Sequence, residues 1–113
     1  MHEVAIAEEI KEIALDKMKE HGALKITGIA LIIGEMTSVV PEALTFAFES
    51  VCRGTPMEAA EIRIENVKLK ARCRRCGAEF RVKDFFYICP ECAGTDVEVI
   101  KGKEMIIKTI DME

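Results

Sequence analysis

Cys73-Arg74-Arg75-Cys76-Gly77 and Cys89-Pro90-Glu91-Cys92-Ala93-Gly94 decide how this chain is organised. A two-residue spacing lets both sulfurs of a pair reach one ion from a tight turn, whose backbone N–H groups can point back at the sulfurs. A glycine shortly after each pair, Gly77 and Gly94, permits a turn that closes with positive φ. Two such turns make a tetrahedral site of four thiolates, which suits zinc. With all four positions filled by cysteine, none stays open for Lewis-acid catalysis, and the ion is expected to be structural. The fifth cysteine, Cys52, has no histidine near it in sequence and reads as a small buried hydrophobe. Iron is the competing occupant of four thiolates, which makes a rubredoxin-like carrier a distinct alternative. Most of the chain, however, lies outside the cysteine segment.

Working outward from the cysteines, Arg72, Arg74, Arg75, Arg81 and Lys83 surround the site and can offset its net negative charge. Phe80, Phe85, Phe86 and Tyr87 lie between the pairs and are expected to form the small core of the module. The opposing reading is a nucleic-acid-binding or protein-binding zinc-ribbon adaptor, with these aromatics stacking on bases. The charge balance weakens it: 16 Lys+Arg face 20 Asp+Glu, a formal net charge of −4. A general nucleic-acid-coating role needs a basic surface.

The rest of the chain alternates helix and strand patterns. Ile6, Ile10, Ile13 and Lys17 form one helical stripe over Glu3–Glu20, with Ala14 and Met18 beside it. Gly22 supplies the stop, and His21 sits in the last turn. Leu24–Ile33 reads as a strand covered on both faces, with a bulge or kink at Gly28. Thr37 or Ser38 is expected to cap a second helix that has Pro41 in its first turn and Leu44, Ala47, Phe48 and Val51 on its buried face. Glu61–Cys73 reads as one long strand with a bulge at the phase slip Glu65–Asn66. Val97–Ile100 and Lys103–Met112 are further strands, split by a hairpin or sharp bend at Gly102.

This order predicts an α+β fold, with two helices packed on a small, about three-stranded β-sheet and an inserted four-cysteine zinc-ribbon-like module. Residues 1–70, completed by a C-terminal strand over 101–113, form the body, and residues 71–100 the zinc module. The chain has 113 residues, half of them apolar, which is a globular composition of one-domain size. Its longest strongly apolar run, Ile29–Ile33, is far too short to span a membrane. The start lacks a basic leader, and paired Cys-x-x-Cys without one points to a reducing compartment; a cytoplasmic location is expected.

The opening Met1-His2-Glu3 offers an α-amine, a backbone nitrogen and an imidazole that can reach one metal in fused rings, with a carboxylate next to them. Met1 is expected to be retained because a bulky His follows it. Nitrogen donors in a square-planar or tetragonal array suit Ni(II) or Cu(II).

Several short motifs come in a specific order: Met1-His2-Glu3 before a helix, Ile33-Gly34-Glu35, Val40-Pro41-Glu42-Ala43-Leu44-Thr45-Phe46-Ala47-Phe48, the two Cys pairs, and Gly102-Lys103-Glu104-Met105. Over nearly its whole length the chain resembles the HypA family of hydrogenase and urease nickel-insertion proteins. The resemblance implies a nickel metallochaperone, not an enzyme. It implies Ni(II) as cargo at His2, with Met1 through its amine and Glu3 as a ligand or orienting residue. One zinc per chain would sit at Cys73, Cys76, Cys89 and Cys92. It implies a HypB-type GTPase and a [NiFe]-hydrogenase large subunit, or urease components, as partners. Neither nucleic acid nor membrane is expected, and the chain would be a monomer or homodimer. The sequence departs from some members: no histidine flanks the Cys pairs, the zinc module has none, and Val39 and Val40 stand where a carboxylate can precede the second helix.

Overall fold

The structure is a computed structural model that describes residues 2–113. Helix α1 (Glu3–Glu20) leads into strand β1 (Ile26–Gly34), a 3-10 turn (Glu35–Thr37) and helix α2 (Pro41–Val51). Strands β2 (Glu61–Val67), β3 (Lys70–Cys73), β4 (Glu79–Arg81), β5 (Val97–Lys101) and β6 (Met105–Met112) complete the chain. They form two three-stranded sheets, one in the order β2-β1-β6 and one in the order β4-β3-β5. The expected α+β arrangement of two helices, a three-stranded sheet and a separate cysteine module is present.

In the first sheet, β1 runs parallel to β2 and antiparallel to β6. The parallel pair needs a crossover, and α2 supplies it. Ile29, Leu31 and Ile33 point from β1 into a core with Ile6, Ile10, Leu44 and Phe48 from the helices. Period-2 placement on the strand thus meets helical spacing on α1 and α2. Ile13, read as part of the buried stripe, is 42% exposed instead; α1 is buried through Ile6, Ala7, Ile10, Ala14 and Met18. Helix α1 ends as predicted, with His21 as its C-cap. Gly22 takes φ +66, its N–H donates to Lys19 O, and the Ala23 N–H donates to Met18 O. These two bonds satisfy carbonyls that the helix leaves orphaned.

The register of β1 against β6 shifts between Ile26 and Gly28, where the bulge was expected, and again between Ala30 and Leu31. Only one face of β1 is covered by the helices, contrary to expectation. On the other face Ala30 and Ile32 are half-buried, and Arg63 of β2 bonds Asp111 of β6 at 3.0 Å across the central strand. Gly28 makes this crossing possible, since a Cβ there would lie 3.1 Å from the Asp111 carboxylate.

The cap of α2 is also a correction. The N-cap is Val40, whose N–H donates to Glu3 Oε2 at 3.4 Å, so a carboxylate from the start of α1 serves the start of α2. Thr37 instead donates to Gly34 O at 2.8 Å and accepts from the Val39 N–H, while Ser38 is left-handed at φ 60. At the other end of α2, Lys11 Nζ of α1 donates to Val51 O at 3.2 Å, which places a cation at a helix C-terminus. Cys52 follows as the C-cap and is buried, as expected. Burial raises its thiol pKa; Lys11 opposes that shift and Glu8 adds to it.

The stretch Glu61–Cys73 is two strands in two sheets, not one bulged strand. The parity change read as a bulge is the passage from β2 to β3. Of the hairpin or sharp bend expected at Gly102, the structure has the bend, a passage between sheets at φ +105. The two passages lie together. The Gly34 N–H donates to Glu104 O at 2.7 Å and the Met36 N–H to Gly102 O at 2.8 Å. Glu35 Oε1 accepts the Leu69 N–H at 2.8 Å, and Glu104 Oε1 accepts the Gly102 N–H at 2.7 Å. A Cβ on Gly34 would fall on the carbonyl of Gly102, so glycine is required at this crossing.

Candidate metal centre

Strand β3 ends at Cys73, and a turn through Cys76 feeds β4; a second turn from Cys89 to Cys92 precedes β5. The two turns share one hydrogen-bond pattern. Gly77 N–H donates to Cys73 O and Cys73 N–H to Ala78 O; Ala93 N–H donates to Cys89 O and Cys89 N–H to Gly94 O. The positive φ falls on Gly77 in the first turn, but on Ala93 rather than Gly94 in the second. Gly94 serves another purpose, because a Cβ there would lie 3.2 Å from Cys92 Sγ.

These turns bring the Sγ atoms of Cys73, Cys76, Cys89 and Cys92 within 4.8 Å of one another. Cys73 and Cys92 are 3.6 Å apart, and Cys76 and Cys89 are 3.5 Å apart. A disulfide requires about 2 Å. A tetrahedron with metal–sulfur bonds near 2.3 Å has edges of about 3.8 Å, so the spacing fits one ion. Cys73 and Cys89 are buried, whereas Cys76 and Cys92 are exposed.

The electrostatics call for a cation. The Cys73 thiol is drawn down to about 7, chiefly by the Cys76 N–H, against burial, with help from Arg75 N–H and the Cys92 and Cys76 thiols. For Cys76 the Ala78 N–H favours the thiolate, but the thiol of Cys89, burial, and the thiols of Cys73 and Cys92 outweigh it and push the group up to about 12. Cys92 is raised in the same way: the Gly94 N–H is outweighed by Cys73, burial and Cys89. The Cys73 thiolate forms readily here, and Cys76 and Cys92 resist ionising beside it. A divalent ion removes that conflict by binding all four sulfurs deprotonated.

The apolar support is small. Leu69, Ala71 and Val82 are buried, with Phe80, Tyr87, Val97 and Val99 packed against them. Phe80 and Tyr87 therefore belong to the module core as expected. Phe85 and Phe86 do not; they are 52% and 68% exposed. Two members of the basic run are tied down: Arg72 bonds Glu79 at 3.0 Å and Arg74 bonds Asp96 at 2.9 Å, with Glu98 near both. Among the described residues, the four cysteines are the only cluster of three or more His, Cys, Asp or Glu groups with converging ligand atoms.

Of the N-terminal candidates, Met1 lies outside the described residues. His2 is exposed at the N-cap of α1, without a side-chain cap bond. The first N–H groups of a helix have no intrahelical acceptor. Glu3 is half-buried and committed to the Val40 N–H. Sequence reasoning missed the structural roles of Glu35 and Glu104, because carboxylates that accept backbone N–H groups at a crossing leave no local pattern.

The family described as hydrogenase/urease nickel incorporation, metallochaperone, hypA matches residues 1–112. The hydrogenase maturation factor HypA of Chlorobaculum tepidum is 40% identical over 113 residues, all of both chains. That of Picosynechococcus sp. is 41% identical over 112 residues, 99% of each chain. In fold, the chain is similar to the solution structure of the nickel metallochaperone HypA from Helicobacter pylori. That likeness has a TM-score of 0.68 and 23% identity over 99% of this chain and 97% of that one. A second solution structure of a HypA protein gives 0.72 and 23%, over 100% and 97%.

Proposed function

This chain belongs to the HypA family of hydrogenase/urease nickel-incorporation metallochaperones, and on that premise we propose that Met1, His2 and Glu3 hold its Ni(II) cargo while Cys73, Cys76, Cys89 and Cys92 hold a resident zinc. The chain is a hydrogenase maturation factor and not an enzyme. The observation that supports the site assignment is a family match over residues 1–112, a range that includes Met1-His2-Glu3.

The Met1 amine, the His2 backbone nitrogen and the His2 imidazole supply an in-plane nitrogen set suited to Ni(II). The exposed N-cap position of His2 leaves its imidazole free to turn toward the ion. Glu3 is proposed as the orienting residue, because its carboxylate already ties the start of α1 to Val40. Glu42, in the first turn of α2, or water completes the sphere. A cargo that must be handed on is expected to bind with roughly micromolar Kd, near −8 kcal/mol. Zinc, when bound, supplies the cross-link that closes the module, and the N–H groups of Cys76, Ala78 and Gly94 orient the sulfurs toward it.

We take residues 1–70 with 101–113 as the nickel-binding unit and 71–100 as the zinc unit. The partners proposed within hydrogenase maturation are a HypB-type GTPase and the [NiFe]-hydrogenase large subunit, or urease components. No helix is long and apolar enough to cross a membrane among the described residues, and we propose a cytoplasmic location.

The test is a Ni(II) titration of untagged protein, read by native mass spectrometry, with His2→Ala alongside. One zinc throughout and one nickel only when His2 is present is the expected result. Specific nickel retained by His2→Ala overturns the N-terminal site.

A further inference from the structure

The cations of the cysteine module are concentrated at one end of its sheet. Arg81, Lys70 and Lys101 are register partners across β4, β3 and β5, so three cations stand in one row at the end of β3 opposite Cys73. Like charges directly opposite one another in a sheet destabilise it. Glu79 compensates Lys70 at 3.3 Å, but Arg81 and Lys101 have no ion-pair partner among the described residues. Lys68, Lys83 and Lys103 each lie two residues beyond a member of the row, all exposed and equally unpaired among the described residues.

Beyond this row the chain turns back on itself. The Val82 N–H donates to Leu69 O, and four residues later the Phe86 N–H donates to Lys83 O at 3.0 Å. Between Lys83 and Phe86, Asp84 and Phe85 are both left-handed, at φ 51 and 60. Positive φ at both central residues is the signature of a type I′ turn, which favours Gly, Asn and Asp. Phenylalanine is out of place there, and such outliers concentrate at functional sites. The turn leaves Phe85 52%, Phe86 68% and Ile88 49% exposed. The module core closes without them, through Leu69, Ala71 and Val82 with Phe80 and Tyr87.

A reverse turn tipped with exposed apolar side chains enters its partner rather than receiving it. The cations sit behind the apolar residues instead of alternating with them, as a track for stacked bases would require, and Ile88 has no ring to stack. Charge is divided along the chain in the same sense. Nine basic and five acidic residues lie between Lys68 and Lys103, against seven basic and fifteen acidic residues elsewhere. The net charge of −4 hides this division.

We propose that this loop is a reversible anchor to an anionic phospholipid surface: Phe85, Phe86 and Ile88 enter the boundary between headgroups and acyl chains, and the cations behind them meet the phosphates. An apolar insertion alone binds weakly, and a basic patch beside it supplies the second signal that surface anchoring needs. The acidic body is repelled by the same surface and stays in water. No membrane is expected from the sequence because no segment can span one, but a surface anchor needs no span. The anchor uses none of the proposed nickel or zinc ligands, so it stands or fails independently of the cargo site.

The test is co-sedimentation of the zinc-loaded full chain with vesicles of equimolar phosphatidylcholine and phosphatidylglycerol, beside vesicles of phosphatidylcholine alone. Binding to the neutral vesicles should be at least about tenfold weaker, and added salt should weaken binding to the anionic ones. Phe85→Ser with Phe86→Ser should lower anionic-vesicle affinity at least about tenfold without altering charge. Arg81→Glu with Lys83→Glu should do the same, whereas the equal charge change Lys19→Glu with Arg53→Glu should have a far smaller effect. The chain has no Trp, so Phe86→Trp gives a single reporter whose emission should shift to the blue on anionic vesicles. Zinc content and circular dichroism check folding, and Phe86→Trp carries the test if a serine or glutamate variant is not folded. Failure to bind anionic vesicles overturns the proposal, as does binding that these tip and cation variants do not weaken, or an unshifted emission in bound protein. Displacement from vesicles by inorganic phosphate at constant ionic strength, or binding to a single-stranded oligonucleotide and not to vesicles, would assign the patch to another ligand and overturn it too.

Discussion

The body and the cysteine module are each a three-stranded sheet, yet they are held together by different means. Among the described residues, fourteen buried ones form the core of the body and three form that of the module. Two helices lay an apolar stripe over one face of β2-β1-β6, and burial of Ile29, Leu31, Leu44 and Phe48 sustains it. The module has no helix to cover β4-β3-β5. Its order rests on the thiolate cluster, on Leu69, Ala71 and Val82, and on a ladder of ion pairs. A segment with so little apolar surface to bury needs a cross-link, and metal binding there is folding free energy.

The largest expected effect breaks this contrast at its sharpest point. Removing the proposed zinc with a chelator, or Cys73→Ala, should collapse amide-exchange protection in β3, β4 and β5 while β1 and α1 keep theirs. Native protection of β3 in metal-free protein would show that the module does not depend on its ion.

The reverse experiment is Phe48→Ala. Phe48 is 2% exposed, and its truncation should cost the body about 3–5 kcal/mol, measured by urea unfolding. Zinc content of folded protein should remain one per chain. Loss of zinc in step with the body's unfolding would mean that the two regions form one cooperative unit.

The smallest effect concerns the ion-pair ladder. Glu79 accepts from Arg72, and Lys70 lies 3.3 Å away; their bonds and charge hold its carboxyl below the usual range. The stabilisation is therefore complete above the ordinary glutamate pKa and is lost as pH falls through the lowered value in the fold. Glu79→Gln should lose zinc to a chelator slightly faster than the natural chain at neutral pH. The difference should vanish in acid, as measured by the rate of chelator-driven release across that range. Equal rates at neutral pH would show that these exposed pairs contribute nothing, which is common for surface ion pairs.

Much of the architecture was legible because it is local. The stripe on α1, its stop at Gly22, the bulge near Gly28 and the two Cys-x-x-Cys turns each lie within a few residues of their cause. The errors fall where distant segments decide. The cap of α2 comes from Glu3, 37 residues earlier, so Thr37 and Ser38 were plausible and wrong. The passage from β2 to β3 has no glycine or proline to mark it, and β-alternation simply resumes in another sheet. Burial of Phe80 and exposure of Phe86 cannot be told apart by composition, because both are aromatic residues near cysteines. For the metal centre, the spacing of the cysteines indicated the cluster, but not that Ala93 rather than Gly94 would take the left-handed conformation.

The crossing at Gly34 and Gly102 bears on how such a protein can change over time. The chain leaves the body after Val67 and returns at Glu104 through one narrow gate, with Glu35 and Glu104 fastening it from the body's side. Whatever lies between those two points is a cassette with adjacent ends. It can lengthen, shorten or exchange its surface residues without shifting the strands on which α1 packs. The cysteine module can thus be reworked while the two helices and three strands of the body stay in place.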